Sequence, residues 1–150
     1  MAISRIMSHG DKAGIVGALY FGRHSSGRAQ CASGFTSDAE NKKLHEFGNA
    51  GLKPEQWVGT GMLKIERWVI LKLKEAIDSG EFPECKPAAP GRWYGYFSPT
   101  SVGVGEDVSF GLRAGKLGIQ SYVDTGLVCL HEGGMAYGPN NTKNYKPIGS

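Results

Sequence analysis

The sequence predicts an α/β domain, a sandwich of helices on a mixed sheet. Three observations lead there. Residues 13–21, "AGIVGALYF", are a continuous apolar run bounded by Gly and Arg, the pattern of a buried strand. Two later segments, "RWVILKLKEAIDSG" and "GEDVSFGLRAGKLG", space their apolar residues by three and four and stop at glycine, as amphipathic helices do. Strand-like runs lie between and after them, and alternation of the two kinds favours helices packed on a sheet.

The elements follow in chain order. "AISRIMSH" (2–9) spaces Ile3, Ile6 and Met7 as one helical face. A helix followed by the buried strand at 13–21 reads as the end of a βα unit, so the pattern begins midway. Residues 22–55 are polar and glycine-rich, which predicts a loop-rich excursion with one or two edge strands and a short helix in "DAENKKLHEF". "QWVGTGMLKIER" (56–67) reads as a strand made irregular at Gly59 and Gly61. In the next helix Val69, Leu73 and Ile77 recur every four residues, with Ile70 alongside. "EFPECKPAAPGR" (81–92) holds three prolines and a glycine and is a loop. "WYGYF" (93–97) is aromatic and strand-like. In the second helix Val108, Leu112 and Gly115 share a face, with Phe110, Ala114 and Leu117 beside it. "IQSYVD" and "GLVCLH" read as two short strands. Residues 1–136 form one domain and 137–150 a polar tail.

Composition narrows the function classes. With 150 residues the chain is long enough for a real core. Net charge is +3, with Lys and Arg dispersed, which argues against a nucleic-acid partner. Cys31, Cys85 and Cys129 are odd in number and form no C-x-x-C pair, so they read as small buried hydrophobes in a reducing compartment. The apolar run "GIVGALYF" is too short to span a membrane and lacks a cleavage pattern. The expectation is a soluble, cytoplasmic protein.

The chemistry-bearing stretch is "GVGEDVSFGLRAGKLGIQSYVDTGLVCLHEGG" (103–134). Glu106 and Asp107 suit a helix's first turn, where carboxylates complement the exposed N–H groups and the dipole. The same turn, with Gly103 and Gly105 leaving its approach open, holds a carboxylate rigidly, as a general base requires. His131 follows a strand and precedes glycines, which suits either a plain loop histidine or a group turned into a cleft.

Taken in order, these segments resemble the C-terminal half of a GT-A-type glycosyltransferase, of the kind that uses nucleotide sugars. "GIVGALYFGR" is similar to the strand after that family's Asp-x-Asp segment. "VGTGMLKIERWVILKL" is similar to its central Gly-x-Gly strand and following helix. "GEDVSFGLRAGKLGIQSYVD" is similar to its Glu-Asp helix and Val-Asp strand, and "LVCLHEGG" to its terminal strand with a metal-ligand histidine.

The resemblance implies a role for each matching residue. Asp107 would be the general base that deprotonates an acceptor hydroxyl. Glu106 would hold a hydroxyl of donor or acceptor. Gly59, Thr60 and Gly61 would lie under the sugar, and Trp93 and Tyr94 would stack on a sugar face. His131 would ligate Mn²⁺ or Mg²⁺. The chain has no Asp-x-Asp and no room for the family's nucleotide-binding half. The expectation is therefore a domain inactive alone, or a non-catalytic binding or assembly module of the same descent. The strand at 13–21 would be an exposed edge, joined to a second copy or a partner chain.

Overall fold

Ile15, Val16, Ala18 and Leu19 are all buried, and the strand they form lies inside a sheet with neighbours on both sides. The computed structural model describes residues 2–11, 13–20 and 51–129. Among them the elements are α1 (Ala2–Met7), β1 (Ile15–Tyr20), β2 (Leu52–Glu55), β3 (Leu63–Ile65), α2 (Arg67–Asp78), a 3₁₀ turn (Pro83–Cys85), α3 (Glu106–Lys116) and β4 (Ser121–Cys129). The strand order is β2-β4-β1-β3, with β1 parallel to β4 and the two outer strands antiparallel to their neighbours. The α/β class and the mixed sheet are as the sequence predicts.

Alternation along β1 divides the core. Ile15 and Leu19 face α2 and α3, where Val69, Leu73, Ile77, Phe110 and Ala114 complete one cluster. Val16 and Ala18 face α1, where Ile6 and Leu127 complete a second. The three fully buried aliphatic residues of α2 are those the four-residue spacing identified, each contributing about 1.5–3 kcal/mol by leaving water. Gly80, at φ 92°, follows the end of this helix. α3 ends in a Schellman turn: the Gly118 amide donates to Gly115 O and the Ile119 amide to Ala114 O, with Gly118 at φ 73°.

Two glycines admit the segment that joins β2 to β3. Val58 lies over Gly17 of β1, and a Cβ there would stand 2.7 Å from the Val58 Cβ. Trp57 lies under Gly111 of α3, where a Cβ would stand 2.8 Å from the Trp57 Cα. Residues 57–58 are thereby clamped between sheet and helix.

β4 contains the largest irregularity. Ala18 pairs with Asp124, but Leu19 pairs with Val128, so three residues bulge out of the ladder. An odd insertion reverses the faces of a strand. Tyr122 lies on the α1 side before the bulge, and Leu127 and Cys129 lie on it afterwards.

Several expectations are corrected. β1 is not an edge, because β3 folds back onto one side of it while β4 pairs with the other. The strand expected over 56–67 is confined to Leu63–Ile65, since residues 57–58 leave the sheet plane to fill the clamp. Residues 93–97 form no strand; their aromatics stack on one another and on α3. "IQSYVD" and "GLVCLH" are not two strands, because β4 runs continuously through its bulge. On α1 only Ile6 is buried, and Ile3 and Met7 are exposed. On α3 the core face is Phe110 and Ala114 with Ser109 and Arg113, while Val108 and Leu112 are half-buried and Gly115 is exposed. The expected edge strand is present as β2. The helix expected in "DAENKKLHEF", Cys31 and the tail lie outside the described residues. Cys85 is buried and Cys129 half-buried. No helix among the described residues is long and apolar enough to cross a membrane.

Candidate functional site

Glu106 and Asp107 occupy the first turn of α3. Gly105 caps that turn in extended conformation, and a Cβ on it would stand 3.0 Å from Asp107 Oδ1. Glycine thus lets the carboxylate fold back, and Oδ1 accepts from the Val108 amide at 2.7 Å. Glu106 is exposed and Asp107 half-buried.

The loop that delivers this turn is pinned by two buried side chains of α3. Ser109 Oγ donates to Gly105 O at 2.9 Å and accepts from the Thr100 amide at 3.0 Å. Arg113 donates through Nη1 to Tyr96 O, through Nη2 to Ser98 O, and through Nε and Nη2 to Glu84 Oε1. The Glu84 carboxyl is held below the usual range, first by its own backbone amide and then by Arg113, against the opposing effect of burial. Neither Ser109 nor Arg113 stands out in the sequence, where both read as ordinary helix residues.

The connectivity sets which groups share an end of the sheet. α3 returns into β4 through a short turn, so it runs back along the sheet. Gly111, one turn beyond Asp107, lies beside Trp57, and Val58 lies over the middle of β1. The Ala18 amide donates to Met62 O, so Gly61 lies just beyond, toward the carboxyl end of β1. The first turn of α3 and the Gly59-Thr60-Gly61 turn thus point to the end of the sheet where β1 and β4 finish. Gly59 is buried, and Thr60 and Gly61 are exposed.

Trp93 and Tyr94 are placed differently. Trp93 is 92% exposed, so it is not a core residue. The Tyr94 hydroxyl donates to Asp78 Oδ1 at 2.6 Å, its ring stacks on Tyr96, and Lys74 lies over it. Tyr94 is therefore tied to the end of α2. His131 lies outside the described residues. Among those residues no group of three or more His, Cys, Asp or Glu side chains could hold a metal ion. They do not make a Mn²⁺ or Mg²⁺ site, which needs several oxygen ligands.

On the opposite face, Asp124 of β4 stands out in the sequence only through the Val-Asp pattern. Its carboxylate is fully buried and takes four bonds. Arg5 donates through Nε and Nη2 at 2.8 and 2.9 Å, His9 Nε2 lies at 2.7 Å, and the Gly126 amide donates at 2.9 Å. An ionised carboxylate only accepts, so His9 Nε2 carries the proton. Burial pushes the Asp124 carboxyl up, but the bonds from Arg5, His9 and Gly126 outweigh it and hold it below the usual range. Gly126 lies flat on the guanidinium, where a Cβ would meet its Cζ at 2.6 Å. The available signal was a carboxylate inside an apolar strand, together with Arg5 and His9 four residues apart.

Two cavities border the C-terminal half of α3. One, of about 580 Å³, lies between the end of β2 and the start of β4; the other, of about 530 Å³, lies between α3 and the 3₁₀ turn. Neither is lined by Glu106, Asp107 or residues 59–61. No family model matches the chain, and neither does any curated protein or solved structure.

Proposed function

We propose that the chain is a glycosyltransferase-like domain carrying the acceptor and catalytic-base half of a sugar-transfer site, inactive until a partner chain supplies the nucleotide half. The observation that carries this reading is the common direction of the Asp107 turn and the Gly59–Gly61 turn, toward the carboxyl ends of β1 and β4. Ligands of α/β sheets bind outside the carboxyl ends of their strands.

In this reading Asp107 accepts the proton of an acceptor hydroxyl as its oxygen bonds to the donor's anomeric carbon. The bond from that carbon to the nucleotide breaks, and the diphosphate leaves with the electron pair. Glu106 holds a neighbouring hydroxyl, and the exposed backbone at Gly61 lets the sugar ring approach beside Thr60, with buried Gly59 fixing the turn beneath them. Trp93 offers an exposed ring for stacking; Tyr94 supports that loop through Asp78. Mn²⁺ or Mg²⁺, if used, would draw on His131 and on carboxylates from the partner, and no step above runs through it.

The alternative is a non-catalytic binding or assembly module. The bond from the Val108 amide to Asp107 favours it, because that is how a carboxylate serves a helix's first turn alone.

Calorimetry with UDP-hexoses and Mn²⁺, coupled to an assay of released UDP, separates the two. Transfer that needs a second chain and falls at least about 100-fold in Asp107→Asn supports the enzyme. Equal transfer by Asp107→Asn sinks the base assignment, and an intact fold that binds no nucleotide sugar with any partner leaves the module.

A further inference from the structure

α3 carries two glycines one turn apart, and only one has a packing reason. Gly111 is required by Trp57, whose backbone occupies the place of a side chain. Gly115 has a negative φ, and a Cβ on it would meet nothing within 4 Å. Alanine would suit this helical position better, by up to about 1 kcal/mol. Gly115 instead lines both cavities, which also share Gln56. The two volumes thus adjoin as one groove along the last turns of α3, and the missing side chain keeps their junction open.

The groove's chemistry selects its ligand. Arg113, 1% exposed, lines the second cavity. Four of its five N–H groups are taken by Glu84, Tyr96 O and Ser98 O, and the second hydrogen of Nη1 has no acceptor among the described residues. Glu84 offsets the guanidinium charge. Gln56, Thr100 and Lys116 add an amide, a hydroxyl and an ammonium at the walls. This end of α3 presents carbonyl oxygens, the negative end of the helix dipole, which disfavours an anion. Mixed donors and acceptors with little net charge suit a neutral ligand rich in hydroxyl groups.

We propose that this groove is a saccharide subsite, separate from the Asp107 turn, that takes a neutral sugar unit. Gly115 lies eight residues beyond Asp107, about 12 Å along the helix. The naming of the hydroxyl-rich ligand as a saccharide rests on the sugar-transfer reading. The groove would grip a distal unit of an acceptor chain.

The test is an amide-resolved NMR titration of the full chain with maltose, cellobiose, lactose, chitobiose and mannobiose to tens of millimolar. At least one should give saturable shifts at Gly115, Gln56 and Lys116. Gly115→Gln, which fills the junction without touching the core, should weaken that binding at least tenfold, as should Gln56→Ala. Asp107→Asn should leave it unchanged, so that loss of the base and loss of the subsite are read separately. No saturable shift with any sugar, or shifts that survive both groove variants, overturns the proposal even if Asp107-dependent transfer is found.

Discussion

Arg5 grips both carboxylate oxygens of Asp124 across 119 positions of chain, and so fastens α1 to β4. The pair sits where β4 bulges, and the Gly126 amide completes the carboxylate's shell from within that bulge. One contact therefore sets both the seat of α1 and the reversal of faces in β4.

Removing one partner should be costly. Asp124→Ala strands Arg5 and His9 over a buried site and should destabilise the fold by about 3–5 kcal/mol. Arg5→Ala should cost less, because the Arg5 side chain is 38% exposed and water can reach its place. Urea unfolding followed by far-UV dichroism gives both values, and equal small losses would show the bonds to be ornamental.

The same carboxylate sets an acid limit. Its folded pKa lies below the unfolded value of about 3.9, so its contribution is present above that value and lost as pH falls through the folded one. Stability measured from pH 7 to pH 2 should drop below about pH 4. Asp124→Asn, less stable at neutral pH, should show a shallower acid drop. An unchanged acid slope in that variant would assign the limit to other carboxyls, of which Asp78 and Glu84 are also held low.

Two identical substitutions on α3 should have opposite signs. Gly111→Ala drives a methyl into the Trp57 backbone and should destabilise by about 1–3 kcal/mol. Gly115→Ala meets open space and should stabilise by a few tenths to about 1 kcal/mol. Paired thermal melts decide it, and a shared sign would contradict the clamp around residues 57–58.

Among the described residues the open sheet edge is β3. Met62 and Glu66 make the bonds to β1, so the backbone groups of Leu63 and Ile65 point outward. The other edge, β2, is blunted by Pro54, which has no N–H to offer. Association, whether with a second copy or a partner, should therefore be lost in Leu63→Pro and kept in Leu52→Pro, whose amide, like the nitrogen of Pro54, points away from β4. Sedimentation velocity reads the outcome, and a wild-type chain that stays monomeric alone and with any partner removes the expectation of strand addition.

Much of this fold was legible because period and punctuation agreed. Val69, Leu73 and Ile77 recur every four residues and all are buried, and Gly80 and Gly118 mark the helix ends. The failures have physical causes. β4 read as two strands because an odd bulge breaks its alternation between Asp124 and Leu127. Residues 56–62 read as strand because their apolar character serves a clamp under α3, and apolar character does not distinguish the two. Asp107 and Gly59–Gly61 were legible as candidates, but their common direction was not, because it depends on strand order. Arg113, Ser109, Arg5 and His9 were missed because a buried polar residue is recognised by partners that lie far off in the chain.

The place of β4 also governs when the fold can be completed. It enters between β1 and β2, so a ribosome delivers every other described strand before the one that joins them. Until residues 121–129 emerge, the described strands offer only the β1–β3 pair, a two-stranded unit of marginal stability, and β2 waits with no described partner. A protease cut inside β4 would separate β1 from β2 and leave an open sheet prone to aggregation.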